Sequence, residues 1–199
     1  MQPLSRLILA TRNAHKTAEI RTMVGDRFTV LDVRGFPDLP EIEETGTTFL
    51  ENARLKAMGI SRLVSGWILS DDSGLEVDAL GGAPGVWSSS YGGEEGNHAK
   101  NNARLLGEMA GKNNRTARFR CTMVLANDGE EVANFSGTVE GHLAESLEGR
   151  GGFGYDPLFI PNGHGQTFAE LGEAVKNTLS HRSRALAQVM AFLDKNCIK

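Results

Sequence analysis

The amino-acid sequence predicts an α/β fold on three observations. Short apolar runs alternate with stretches of helical periodicity, capping residues stand at the joins, and an Asp-Gly pair separates two long alternating runs. Leu7 to Thr11 reads as a buried first strand. Asn13 then caps a helix from Ala14, with Ile20, Met23 and Val24 on one face and Gly25 at its end. Phe28 to Val33 is a second strand. Glu41, Glu43 and Glu44 follow in a loop with Pro37 and Pro40. Thr48 and Glu51 form a capping box for a helix reaching Val64, which gives Glu51 a structural explanation. Ile68 to Ser70 is a third strand, and a helix is expected near Asn97 to Met109. Ala117 to Ala126 and Glu131 to Glu140 are two long strands joined through Asn127-Asp128-Gly129, where Asp-Gly suits a tight hairpin. A last helix, about His181 to Leu193, takes Ser180 as its cap and carries Leu186, Val189, Met190 and Leu193 on one face.

A chain of 199 residues can bury a substantial core and predicts a single domain over 1–199. A net charge of -4 argues against a general nucleic-acid binder, and the first apolar run is far too short to cross a bilayer. Neither nucleic acid nor membrane is therefore an expected partner. Cys121 alternates with Phe119 and Met123 on the inner face of a strand, and Cys197 lies in the C-terminal tail. Both read as free thiols in a reducing compartment, and with no signal peptide visible the expected location is cytoplasmic. No internal repeat or low-complexity tract is visible.

Four segments carry chemistry. Asp71-Asp72-Ser73-Gly74, backed by Gly81-Gly82-Ala83-Pro84-Gly85, follows the apolar run Trp67 to Ser70, where a tight turn would present two carboxylates and a hydroxyl at the lip of a sheet. Magnesium takes such carboxylates and completes its shell with water and substrate phosphates. The alternative is a solvated Asp-Ser-Gly turn, since these residue types favour turns for local reasons. Thr11-Arg12-Asn13-Ala14-His15-Lys16 forms a strand-to-helix turn with cations in the first helical turn. That is the wrong sign for a helix N-terminus unless an anion sits there. Exposed amides, the dipole and Lys16 together suit a phosphate, with Arg12 as a second charge. Gly149 to Gly154 matches a G-x-G-x-x-G spacing, but Pro157 follows where a helix should open, so the match is a decoy. Phe153 is either folded onto the core or a platform for a flat ligand, and packing is the favoured reading of this segment alone. Lys176 to Arg184 is a basic cluster, which alone reads as a solvated surface.

Together these segments resemble the inosine triphosphate pyrophosphatase family, from Leu7 to about Leu193. The resemblance is carried by Thr11 to Lys16, Glu43-Glu44-Thr45-Gly46 with Thr48 to Ala53, Asp71 to Leu75, Gly151 to Pro157 and Ser180-His181-Arg182. One departure is Trp87-Ser88-Ser89-Ser90, where the family reads tyrosine-serine-alanine-arginine, so a charge expected at Ser90 is missing. The resemblance implies an elongated mixed β-sheet flanked by helices, in two lobes with the active site in the cleft between them. It also implies hydrolysis of dITP, ITP and XTP to monophosphate and pyrophosphate, a Mg2+ cofactor and a homodimer.

Water would attack the α-phosphorus in line. Glu44 and Asp72 are the implied metal ligands, Asp72 is the candidate general base, and Asp71 is a secondary candidate, because adjacent strand residues face opposite ways. Lys16 is the second catalytic candidate. The substrate-binding set comprises Thr11, Arg12, Asn13, Ala14, His15 and Lys16 in the opening turn, Ser73, then Phe153, Gly154, Tyr155 and Asp156, and finally Lys176, His181 and Arg182. Within it, Lys16, Thr11 and Asn13 hold phosphates with Lys176 assisting. A donor from His181 or Arg182 and an acceptor from Asp156 match O6 and N1 of hypoxanthine or xanthine, with Phe153 stacked on the ring. Adenine presents the reverse pattern, so ITP should be preferred over ATP by at least ~10²-fold. Two rivals remain: a nucleotide sensor without chemistry, supported by the altered Trp87 to Ser90 segment, and a related pyrophosphatase acting on modified pyrimidines or canonical nucleotides.

Overall fold

Residues 6–196 are described by the computed structural model, and Cys197 lies outside them. The strands are β1 (Arg6–Leu9), β2 (Thr29–Asp32), β3 (Trp67–Val77), β4 (Thr116–Asn127), β5 (Glu130–Leu143) and β6 (Phe159–Pro161). The helices are α1 (Ala14–Val24), α2 (Phe49–Ser61), α3 (His98–Glu108), α4 (Phe168–Leu179) and α5 (His181–Asn196). One six-stranded sheet runs in the order β2-β1-β3-β4-β5-β6. It is mixed, since β1 pairs in parallel with β2 and β3 while β5 and β6 are antiparallel. This is the α/β class that the strand and helix alternation predicts.

Local chemistry explains the joins. Asn13 Oδ1 accepts from the amides of His15 and Lys16, and Thr48 with Glu51 closes the expected capping box of α2. Between β4 and β5, Asp128 (φ 48°) and Gly129 (φ 86°) both take the left-handed backbone of a primed two-residue turn, as the Asp-Gly pair anticipated.

The chain divides into two compact units. The first comprises residues up to Asp72, Cys121–Ser136 and the segment from Ser183 onward; the second comprises Ser73–Arg120 and Gly137–Arg182. In the first, alternate strand residues feed two cores. Leu7, Leu9 and Leu69 pack with Ile20 and Val24 of α1 and with Leu186, Val189, Met190 and Leu193 of α5. Ile8, Ala10 and Ile68 pack on the opposite face with Ala53, Ala57 and Ile60 of α2. The pleat therefore sorts one set of side chains from the other. Cys121 and Met123 are fully buried in the first of these cores. The second unit is built on Leu75, Val77, Leu105, Phe119, Phe159 and Phe168. Each large side chain fully buried in these cores stabilises the fold by roughly 1.5–3 kcal/mol before entropy is charged against it.

The fold corrects one expectation directly. No turn interrupts the chain at Asp71 to Gly74; β3 runs on to Val77, and Asp71 and Asp72 are buried, 2% and 8% exposed. Leu75 and Val77 continue the buried strand beyond the acidic pair, and each carboxylate meets a lysine that makes its burial tolerable.

Candidate active site

In the first unit the acidic pair is split by the pleat. Asp71 faces α1, where Lys16 Nζ lies 2.5 Å from its Oδ1 and also donates to its backbone carbonyl at 3.4 Å. Cys121 Sγ donates to Asp71 Oδ2 at 2.9 Å. Asp72 faces α2, where Lys56 Nζ donates to Asp72 Oδ1 at 3.2 Å and to Glu44 Oε2 at 2.7 Å. One ammonium thus brings together the two carboxylates predicted as metal ligands. Burial pushes the Asp72 carboxyl above the usual carboxylate range, although Lys56 and Lys16 pull against that shift. Burial alone would lower the Lys56 ammonium, but Asp72 and Glu44 outweigh it and hold the lysine raised.

The second oxygen of Asp72, Oδ2, is buried with no hydrogen-bond partner among the described residues. An acceptor-only oxygen in that position requires a donor or a cation. Two carboxylates, with remaining positions for water and phosphate oxygens, are a donor set suited to Mg2+. Among the described residues no group of three or more His, Cys, Asp or Glu side chains gathers around a metal position.

The opening turn of α1 differs in one respect from expectation. The His15 and Lys16 amides already donate to Asn13 Oδ1, at 2.9 and 3.1 Å, and Thr11 Oγ1 accepts from the Asn13 amide at 3.1 Å. Capping thus engages those amides, leaving the lysine and the dipole as the turn's attractions for an anion. Arg12, expected as a second phosphate charge, donates to the Leu39 carbonyl at 2.9 Å. Ala14 begins the helix, and His15 is exposed.

The second unit gathers the remaining candidates. Lys176, His181 and Arg182 are 2%, 3% and 1% exposed, so the basic cluster is no solvated surface. Lys176 Nζ donates to Asp156 Oδ2 at 2.6 Å, and the Phe153 amide donates to the same oxygen at 2.8 Å. The ion pair with Asp156 offsets the cost of burying the Lys176 ammonium. Lys176, expected to assist the phosphate residues, is instead partnered with Asp156. Phe153 is half-buried and is not among the residues of the apolar core. The Lys176 ammonium lies 4.3 Å from its ring centroid and the Arg182 guanidinium 5.8 Å, which overturns the packing reading in favour of a ring held over cations. Arg182 Nη2 donates to Ser73 Oγ at 2.8 Å, and the His181 ring stacks on Phe119 at 4.8 Å and 11°. Tyr155 donates its hydroxyl to the Ser88 carbonyl at 2.9 Å, so it braces the loop from within. Gly152 cannot be otherwise, because a Cβ there would stand 2.2 Å from Asp156 Oδ2.

The model of the Ham1 family matches residues 7–192. The chain belongs to the Ham1 family. It is 45% identical over 197 residues to a dITP/XTP pyrophosphatase of Bacillus licheniformis, covering 96% of this chain and 100% of that one. It is likewise 45% identical over 193 residues to a dITP/XTP pyrophosphatase of Streptococcus agalactiae, covering 95% of this chain but 60% of the relative, so it spans about three fifths of that protein's length. The structure of a HAM1 protein from Coxiella burnetii matches at a TM-score of 0.86 and 36% identity, covering 96% of this chain and 100% of that one. The likeness to this Ham1 structure extends to the mixed sheet with its flanking helices.

Lys56 is the residue of this Ham1 chain that sequence reasoning missed. Its signal was present in α2, where a lysine stands on the buried stripe of Phe49, Ala53, Ala57 and Ile60. A cation on an apolar stripe requires a buried anion nearby.

Proposed function

We propose that the chain hydrolyses nonstandard purine nucleoside triphosphates, namely dITP, ITP and XTP or dXTP, to the monophosphate and pyrophosphate, and so cleanses the nucleotide pool. The observation that carries this reading is the buried, unpartnered Oδ2 of Asp72 beside Glu44 and Lys56. The names of the relatives at 45% identity support the substrate class.

Glu44 and Asp72 would hold Mg2+, which when bound neutralises phosphate charge and favours departure of pyrophosphate. Asp72 is also the candidate base that takes the proton of the attacking water. Lys16 turns from Asp71 to a phosphate oxygen, and Lys56 balances the acidic pair. In the second unit Phe153 stacks on the base, while Arg182 and His181 supply donors to O6. Asp156 is the acceptor toward N1, sharing its charge with Lys176. Both units serve one pyrophosphatase domain, acting as a cytoplasmic homodimer without nucleic-acid or membrane partners.

The test is pyrophosphate release from a panel of ITP, XTP, ATP, GTP and modified pyrimidine nucleotides with magnesium. ITP and XTP should give monophosphate and pyrophosphate, with ITP preferred over ATP by at least ~10²-fold in kcat/KM. Orthophosphate and diphosphate as main products overturn the assigned bond. An Arg182→Ala variant and an Asp156→Ala variant that both keep full discrimination overturn the account of base selection.

A further inference from the structure

One buried side chain of the second unit has no part in the chemistry above. Asn102, on α3, is 5% exposed, and its Nδ2 donates to the Gly154 carbonyl at 2.9 Å. Its Oδ1 is buried with no hydrogen-bond partner among the described residues. Turning the amide over cannot relieve that oxygen, because Oδ1 would then face the Gly154 carbonyl oxygen, acceptor against acceptor. The orientation is set by the loop. Leucine, of similar volume, would remove the unpaired acceptor but also the donor to Gly154, so the bond to the loop is what the asparagine supplies and an apolar side chain does not.

Gly154 follows Phe153, and the Phe153 peptide is gripped at both ends. Its amide donates to Asp156 Oδ2 at 2.8 Å, its carbonyl accepts from the Asp156 amide at 3.2 Å, and Asn102 holds the next carbonyl along. Gly154 itself has φ 65°, a conformation open to rotation once its carbonyl is released. We infer that Asn102 is a positioning residue for Phe153, fixing the ring as the platform on which a purine base stacks. It contacts the loop and acts through it. The inference rests on the base-stacking part of the proposed function.

Asn102→Leu and Asn102→Ala test it, each measured for KM, kcat and Tm alongside the wild type with ITP and ATP. Removing the grip weakens stacking, so KM for ITP should rise about tenfold while kcat stays within about twofold. The ITP preference should shrink, while the Tm of Asn102→Leu should stay within a few degrees of the wild type, since removal of the orphan Oδ1 offsets the bond lost to Gly154. A role in stability alone would lower Tm and leave KM and the preference unmoved. Should Asn102→Leu fail to fold, Asn102→Ala carries the same readings. Wild-type turnover of ITP separates the two readings: its absence overturns the proposed function, whereas intact wild-type turnover with unchanged KM in the folded variants overturns the role of Asn102 alone.

Discussion

Replacing Lys56 by methionine removes an ammonium while keeping most of the volume of the side chain. Lys56 Nζ bonds both Glu44 and Asp72, and the side chains of Lys56 and Asp72 are each 11% exposed. Glu44, 42% exposed, can turn to water, so its loss is small. Asp72 cannot turn away. Breaking a buried pair by deleting one partner destabilises by about 3–5 kcal/mol, and with only one of the two anions stranded the lower end applies, about 3 kcal/mol near pH 8. For a chain of this size that is a fall in Tm of roughly 6–12 °C.

The pH dependence of the deficit has a definite sign. The Asp72 carboxyl is already raised by burial, and loss of Lys56 raises it further. A carboxyl raised in the folded state contributes stability below its unfolded value of about 3.9 and loses it as pH rises through the folded value. The deficit of Lys56→Met must therefore shrink as the solution is acidified from pH 8 toward pH 5. Scanning calorimetry of both proteins at several pH values measures it. Millimolar magnesium should restore part of the variant's Tm, since a divalent cation can sit where the ammonium was. A Tm within about 2 °C of the wild type at pH 8, or a deficit that grows on acidification, refutes this account.

Asp72→Asn should lower kcat by about 10²–10⁴-fold with the fold intact and a modest fall in Tm, since buried Lys56 loses one of its two counter-ions and keeps Glu44; near wild-type turnover would show that Asp72 is neither base nor ligand. Lys16→Ala should raise KM for the nucleotide and destabilise the fold by stranding buried Asp71, and unchanged KM in titrations of initial rate would show Lys16 to be structural only. Asp32, although buried, is held below the usual carboxylate range because hydrogen bonds from Arg34 outweigh the burial. Its contribution is present above about pH 4 and lost as pH falls through the lowered value, so the urea stability deficit of Asp32→Asn should vanish in strong acid. A deficit independent of pH would assign the loss to packing.

What could be read in the sequence was what the chain decides locally. Asn13, Thr48 with Glu51, and Asp128-Gly129 each act on backbone groups a few residues away, so their cap and turn geometry follows from spacing. The buried stripe of α5 was equally plain, because its period matches the helix. Charge burial was not. Asp71, Asp72, Lys176 and Arg182 are residues that ordinarily face water, and their enclosure depends on partners such as Lys16, Lys56, Asp156 and Ser73 that lie far along the chain. The same distance hid the counter-ion of Lys56, since the lysine on the α2 stripe calls for a buried anion but nothing near it in sequence names Asp72. The acidic pair was read as a turn because Asp, Ser and Gly favour turns locally, and tertiary pairing overrode that preference.

The separation of Asp71 from Asp72 by the pleat of β3 ties the chemistry of the two faces to strand alignment. Moving the strand by one residue relative to its neighbours sends every side chain to the other surface. If Asp72 shifted into the place of Asp71, Lys16 would still meet a carboxylate, but Lys56 would meet the hydroxyl of Ser73. The α1 face would keep this ion pair and the α2 face would lose the carboxylate that pairs with Lys56. A one-residue insertion or deletion in the Gly66 to Ser70 approach is therefore more damaging than most substitutions there, because Ile68 and Leu69, which feed opposite cores, would change faces along with the acidic pair.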